Sequence, residues 1–516
     1  MTAVSDSLAE VVEPLPHAPT REPLRNRLLF GSAYVFFATV IGQAIALLTS
    51  IVYARLLGSY DLGILAIYAQ LASLAVTLAG LGLATPITRF VAQLRTEGPA
   101  QLERFLGTVL VVVIVASAAI SSILFLFAIG GGLGPYQSPV LTVMIEITAL
   151  VLCLGAVSAL GFAILQGLQK IGLISIIGIF SEALTVPVMF ISLSVFGLVG
   201  AAIGGTLLSS ISAVFAFGMA IRHLRREGVA IRLAFDRPAA KMLAAYSLPL
   251  LASVFVVKGA LFFQSSFLAL NLGYSDAGLF RVASTISRVV AFVPAAIGVP
   301  LLPALTELYA SATVDRAKRS LTTILRVGCC VGLPFALGLG LLSLPVIALL
   351  FGDGYRDAAL LAFVLAMTAF IDIIGTIAAS SLLSEGRTRT LMALDVGQAA
   401  IIVGGTIVLI GTYGLVGVGY TMLLASTVYA IAILFLLVRS DRIDLVRLLP
   451  PIGLAGGVFG VAAVTVGRAN ALTNYWLGAL FALVAAGGSW SLMNRAERHL
   501  LLAPTRKWLK LGPRKA

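Results

Sequence analysis

Ala54-Arg55-Leu56-Leu57-Gly58-Ser59-Tyr60-Asp61-Leu62-Gly63-Ile64 returns, with both glycines and the aspartate in register, as Ala269-Leu270-Asn271-Leu272-Gly273-Tyr274-Ser275-Asp276-Ala277-Gly278-Leu279. A second pair, Gly197-Leu198-Val199-Gly200 and Gly414-Leu415-Val416-Gly417, recurs at almost the same spacing. Each copy lies between long apolar runs, where a turn is expected. Two matches at one spacing indicate a duplicated unit. Glycine at 58 and 63 tolerates the positive φ that a tight turn demands. Asp61 and Asp276 stand just ahead of the second helix of each pair, placed to cap free N–H groups and to meet the helix dipole.

Outward from these turns the chain is apolar. Of its 516 residues 59% are hydrophobic and 11% charged, against about 25% charged in soluble domains. Charge-free runs long enough to span a bilayer recur from Leu28 to Asn494. The longest, Phe105–Ile145 and Val396–Val438, break at Gly130-Gly131-Gly132-Leu133-Gly134-Pro135 and at Thr412-Tyr413-Gly414. The expected spans are 28–50, 62–86, 105–128, 140–165, 171–194, 198–221, 246–270, 278–303, 324–350, 358–383, 391–411, 415–438, 450–467 and 474–494.

Charge fixes the orientation. All but six of the 35 Lys and Arg fall on one side, taken as the cytoplasm. Three lie in outer loops (Arg55, Arg356 and Arg468) and three lie within spans. Six spans separate the repeat copies, an even number, so the halves are parallel, an arrangement in which substrate sites lie between lobes. The fold class is therefore an all-α integral membrane protein of about 14 transmembrane helices. Its expected divisions are a disordered cytoplasmic tail (1–27), a first lobe (28–222), a basic linker along anionic headgroups (223–245), a second lobe (246–438), a further helix pair (439–494) and a basic cytoplasmic tail (495–516).

Several functions are excluded. The net charge of +13 follows membrane orientation and forms no basic stripe on a soluble fold, so nucleic acid is not the partner. His17, His223 and His499 all lie outside the spans, outer loops are short, and no G-x-x-x-x-G-K-[ST] loop is present, so no enzyme and no cofactor is expected. Residues 1–27 contain no apolar signal region. Cys153, Cys329 and Cys330 fall within spans, and neither a disulfide nor a metal site is expected.

The three intramembrane cations, Lys258, Arg281 and Arg288, each cost about 2.5–3.5 kcal/mol at a bilayer centre. Arg281, Ser284, Thr285 and Arg288 share one helix face by their spacing. Lys258 and Ser265 share another, with Gln264 beside it. Such faces can line a wet chamber that receives an anion, because Arg presents forked donors matched to phosphate oxygens. The bland alternative is neutralisation by Glu146, Glu182, Asp372 or Asp395. Gln43, mid-span, could meet sugar hydroxyls, or a neighbouring helix. Arg55 could belong to an outer gate, or anchor to headgroups. Glu182, Asp372 and Asp395 could carry a coupling H+ or Na+, or merely balance charge.

Ala54-Arg55-Leu56-Leu57-Gly58 with Gly63, and Gly80-Leu81-Gly82 leading to Arg89-Phe90-Val91-Ala92, resemble the multidrug/oligosaccharidyl-lipid/polysaccharide exporter superfamily, in its Wzx-like polysaccharide flippase branch. The resemblance covers roughly residues 28–440 and leaves the last two spans as an appended pair. It implies two six-helix lobes in a V, opening alternately to each side of the inner (plasma) membrane, with both termini cytoplasmic. It also implies a polyprenyl-diphosphate-linked oligosaccharide such as an O-antigen unit as substrate. The superfamily's cation-coupled drug antiporters are the rival, and they carry essential acids in spans one, seven or eight. Here span one is uncharged and spans seven and eight carry cations. A flippase of another anionic lipid, such as the peptidoglycan precursor, is the nearer alternative.

Overall fold

The computed structural model describes residues 24–290, 314–384, 387–469, 475–494 and 498. Among these residues the secondary structure is helical, without strands. The helices are α1 (Leu24–Ala79), α2 (Ala84–Glu97), α3 (Pro99–Ile129), α4 (Pro139–Gly167), α5 (Ile171–Phe196), α6 (Val199–Arg226), α7 (Arg237–Leu272) and α8 (Tyr274–Val290). They continue as α9 (Val314–Leu341), α10 (Ser343–Leu350), α11 (Ala358–Ser384), α12 (Thr388–Tyr413), α13 (Leu415–Arg439), α14 (Leu445–Ala469) and α15 (Tyr475–Leu492). Eleven of them are long and apolar enough to cross a membrane.

The first two expected spans are the arms of one helix. α1 bends at Gly58, whose φ of 74° and ψ of 176° lie outside helical values, and resumes without a loop. The second span was expected to reach residue 86. It stops at Ala79 instead, because Leu81 and Gly82 take positive φ (48° and 63°) before the amphipathic α2 begins. The ninth span, expected over 324–350, is broken at Leu342 into α9 and α10. Pro345 explains the break, since it removes one helical hydrogen bond and its ring clashes with the carbonyl four residues back. The eighth span is described as far as Val290, and the rest of its expected range, with Pro294, lies outside the described residues.

The two halves share backbone geometry. Gly58 and Gly273 both have positive φ (74° and 102°). Gly197 and Gly414 match in φ and ψ (58°, −143° and 57°, −137°), as do Lys170 and Arg387 (−86°, 51° and −81°, 49°). A Cβ on Gly200 would lie 2.0 Å from the Ser192 carbonyl oxygen, and one on Gly417 2.2 Å from that of Leu409. Glycine is thus needed at both sites so that neighbouring helices can touch backbone to backbone.

The basic linker expected over 223–245 is helical at both ends, and the stretch between is held by hydrogen bonds. α6 runs on to Arg226 and α7 starts at Arg237, where Asp236 Oδ2 accepts from the Ala239 N–H at 3.2 Å and Pro238 occupies the first turn. Between them the chain lies along the N-terminal end of α3. Glu103 Oε1 accepts from the Ala230 N–H at 2.8 Å, and Thr108 Oγ1 accepts from the Asp236 N–H at 3.0 Å. The second half repeats the device, with Thr322 Oγ1 accepting from the Asp444 N–H at 3.1 Å.

Inside the first half the core is filled by Phe105, Leu102, Met144, Ile145 and Ile164. In the second half Leu325, Leu337, Ile373, Ile377 and Leu437 do the same, and Phe459 and Ala485 extend that core into the appended pair. Arg326 of α9 ties the pair on, donating to the carbonyls of Arg447 at 3.0 Å and Leu492 at 2.8 Å. The outward faces carry large apolar side chains such as Leu150, Val214, Ile431 and Leu483. That inversion suits a protein whose surroundings are lipid, where burial of backbone groups inside helices is compulsory.

Candidate functional site

α8 sits between the two halves, against α1, α7, α9 and α11. Helical spacing puts Arg281, Ser284, Thr285 and Arg288 along it, and cavities flank it on two sides. The first, about 300 Å³, is bounded by α1, α7, α8, α11 and α13, and its polar lining includes Gln70, Ser265, Thr368 and Asp372. The second, about 240 Å³, lies between the first arm of α1, α5 and α8. Its lining includes Gln43, Ser50, Tyr53 and Glu182. Arg281 and Arg288 line both cavities, so α8 is a basic partition.

These arginines are not neutralised locally. Among the described residues no carboxylate lies within 4.0 Å of Lys258, Arg281 or Arg288. The Arg281 Nε is buried without a hydrogen-bond partner. A buried donor left unsatisfied costs about 1–3 kcal/mol, more when charged. An anion that reached it would recover that cost through charge-assisted hydrogen bonds.

Lys258 is not brought into this group. Its Nζ donates to Thr77 Oγ1 at 2.6 Å, to Ser73 Oγ at 2.9 Å and to the Ser73 carbonyl at 3.4 Å. That uses all three ammonium donors and ties α7 to the second arm of α1. Arg55 also lies away from the cavities. It donates from Nε to the Leu350 carbonyl at 2.8 Å and from Nη2 to the Leu349 carbonyl at 2.6 Å. There it meets the unsatisfied carbonyls at the end of α10. The Tyr355 hydroxyl donates to the Ala54 carbonyl alongside, at 2.8 Å.

The acids divide in the same way. Glu182 lines the second cavity and Asp372 the first. Asp372 and Thr376 also line a third cavity, about 460 Å³, between α11, α12 and α13. Asp395 lines none of the three, and its Oδ2 accepts from the Ser253 hydroxyl at 2.6 Å. Glu146 lines a separate crevice where α3 ends and α4 begins. Gln264 is buried and donates to Thr406, away from the arginines. Tyr53, Ser50 and Gln70 were missed in the sequence. The first two were legible there, since Gln43, Leu47, Ser50 and Tyr53 form one stripe at helical spacing.

At the end of the molecule expected to face outward, the repeated turns close on each other. A Cβ on Gly63 would lie 1.8 Å from the Tyr274 carbonyl oxygen, and one on Gly278 would lie 2.0 Å from that of Ser59. The Tyr60 and Tyr274 rings meet edge to face at 5.3 Å. Asp61 and Asp276 make no side-chain cap bond among the described residues; Asp276 meets its helix only through the dipole of the first turn. Arg55, a few residues before the first of these turns, ties α1 to the end of α10. Arg55→Gln is expected to increase labelling, by an impermeant maleimide added outside, of a cysteine placed at Ser284 in a background free of Cys153, Cys329 and Cys330. Unchanged labelling would show that Arg55 does not guard the cavity.

The sequence matches a family described as polysaccharide biosynthesis protein over residues 28–309. It is 24% identical over 287 residues to the lipid III flippase of Escherichia coli (strain K12), across 55% of this chain and 69% of that one. Its fold is shared by solved structures, among them the following three. An inward-facing multidrug resistance MATE family transporter of the MOP superfamily superposes with a TM-score of 0.68 and 16% identity, over 78% of this chain and 94% of that one. The lipid II flippase MurJ in an inward closed conformation gives 0.67 and 15%, over 89% and 98%. A MOP superfamily transporter from Pyrococcus furiosus Vc1 (DSM3638), described as having a binding pocket of reverse polarity, gives 0.63 and 15%, over 82% and 99%.

Proposed function

The chain belongs to the polysaccharide biosynthesis protein family, within the multidrug/oligosaccharidyl-lipid/polysaccharide exporter superfamily, and from that premise we propose that it is a flippase for a polyprenyl-diphosphate-linked oligosaccharide. The headgroup moves from the inner to the outer leaflet of the inner membrane, for assembly of a surface polysaccharide such as O-antigen. One observation carries this reading: two arginines without carboxylate partners line both cavities between the halves. A diphosphate offers several acceptor oxygens, and two guanidinium forks match them. The polyprenyl chain stays in lipid, and rocking of the halves presents the headgroup outward. Release of Lys258 from Ser73 and Thr77 accompanies that motion and frees its ammonium for the passing headgroup.

Coupling is assigned to Asp372, with Asp395 in support. Asp372 stands where the arginine cavity meets the third cavity, so H+ or Na+ can reach it from the side of α11, α12 and α13. Asp372→Asn is expected to flatten the dependence of transport on an imposed H+ or Na+ gradient while binding of a prenyl diphosphate persists. A preserved dependence on both gradients would move coupling elsewhere.

The test of the whole reading is reconstitution in liposomes with a fluorescent short-prenyl diphosphate sugar. Protein-dependent movement between leaflets is the expected result. Efflux of cationic drugs without such movement would establish the antiporter instead. A peptidoglycan precursor offered in competition separates that substrate from polysaccharide units.

A further inference from the structure

The geometry points to the second cavity as the seat of the first sugar of the headgroup, with Glu182 selecting a neutral or amine-bearing sugar over an acidic one. This rests on the prenyl-diphosphate reading above and adds the class of sugar.

Three observations lead there. The first is size. At about 240 Å³ the cavity is smaller than the roughly 300–1,000 Å³ that encloses drug-sized ligands. It has room for one sugar ring next to the diphosphate, and the remaining sugars must lie beyond it.

The second is lining. Gln43 and Tyr53 from α1 and Glu182 from α5 face this space and make no hydrogen bond to any described residue. Thr49 and Thr185 bond only to carbonyls of their own helices, which leaves their oxygens free to accept. Such polar groups around an aromatic ring suit a polyhydroxylated guest. Apart from the two arginines, this cavity shares no lining residue with the other three. The first cavity continues past Asp372 and Thr376, as an ion path would.

The third is the order of charge. Arg281 and Arg288 form one wall, and Glu182 stands in the same cavity without pairing with either. A diphosphate held by the arginines places its directly attached sugar toward Glu182. An ionised carboxylate only accepts hydrogen bonds. It therefore accepts from a hydroxyl, an acetamido N–H or an ammonium, and it repels the carboxylate of a uronate. Repulsion of the wrong guest is a general source of specificity. A carboxylate that served only to neutralise the arginines would sit on one of them.

The experiment uses the full-length protein in nanodiscs and three probes: farnesyl diphosphate, its N-acetylglucosamine conjugate and its glucuronate conjugate. Wild type is expected to bind the N-acetylglucosamine conjugate at least about tenfold more tightly than the glucuronate conjugate, or ~1.4 kcal/mol. Glu182→Gln, which keeps size and shape, is expected to bring the two affinities together. Equal affinities in the wild type, or a preference that survives Glu182→Gln, would overturn the assignment. Glu146→Gln, a carboxylate removed in the separate crevice of α3 and α4, is expected to leave the ratio unchanged; a collapse there instead would show that the ratio does not report on the second cavity and would also overturn it. Farnesyl diphosphate separates the two levels. If wild type binds it without discriminating between the sugars, the diphosphate site stands and only the role of Glu182 falls. If wild type binds none of the three probes, the prenyl-diphosphate reading falls and this inference goes with it.

Discussion

Replacing Arg281 and Arg288 together with alanine is expected to weaken farnesyl diphosphate binding at least about 100-fold. A hydrogen bond to a charged group contributes about 1.5–3 kcal/mol. Two arginines therefore account for about 3 kcal/mol or more, and each ~1.4 kcal/mol is a factor of ten. Arg→Lys at both sites should recover part of the affinity, because the charge returns but the planar fork does not. The fold should tolerate the loss. Arg281 carries a buried Nε without a partner, so the empty double variant should melt no lower than wild type. Sites built for function often hold such a cost. Binding measured by thermophoresis, and melting measured beside it, give the two readouts. Unchanged binding in the double variant would remove the anion site. Lys258→Met is the useful contrast. Its ammonium is engaged by Ser73 and Thr77, so the main effect expected is on the cycle of opening.

A second large effect is expected at the outer seal. Gly63→Ala with Gly278→Ala should abolish most transport while leaving the protein folded. The added Cβ atoms would stand 1.8 and 2.0 Å from backbone oxygens of the opposite half, and no rotamer change relieves a clash with backbone. The two halves must part by about 1 Å or more to restore ordinary contact. Disulfide formation between cysteines placed at Tyr60 and Tyr274 reports that separation directly. Gly58→Ala and Gly273→Ala make the control pair. No atom lies within 4 Å of the Cβ at either site, so the cost is only that of a backbone conformation adopted essentially by glycine alone (φ 74°, ψ 176° and φ 102°, ψ 168°), about 1–3 kcal/mol each. That cost should appear in melting and leave closure intact. Normal transport by the Gly63/Gly278 variant would show that the seal has no part in the cycle.

These glycines also mark the limit of what the sequence discloses. Their recurrence was legible, and so was the parallel repeat that it implies. The reason for them was only half legible. Positive φ explains Gly58 and Gly273, but Gly63 and Gly278 are helical and are required by the approach of a distant carbonyl. Arg281 and Arg288 could be grouped from sequence because helical spacing alone puts them on one face. Lys258 could not be separated from them, because its partners Ser73 and Thr77 stand on a helix that only the tertiary fold brings near. Arg55 is similar: its acceptors are backbone carbonyls of Leu349 and Leu350, which leave no mark in side-chain pattern. The break after Ala79 escaped a reading based on hydropathy, since Leu81 and Gly82 are as apolar as their surroundings and only their φ sets them apart.

The bend in α1 has a mechanical consequence. Its two arms meet at one residue, and each arm touches the other half: Ser50 meets Thr285 at 3.1 Å, while Ser73 and Thr77 hold Lys258. Such an elbow has no slack. One extra residue inserted after Gly58 would twist the lower arm by about 100°, carrying Ser73 and Thr77 off their partner and Gly63 off Tyr274. Chain length is therefore locked here.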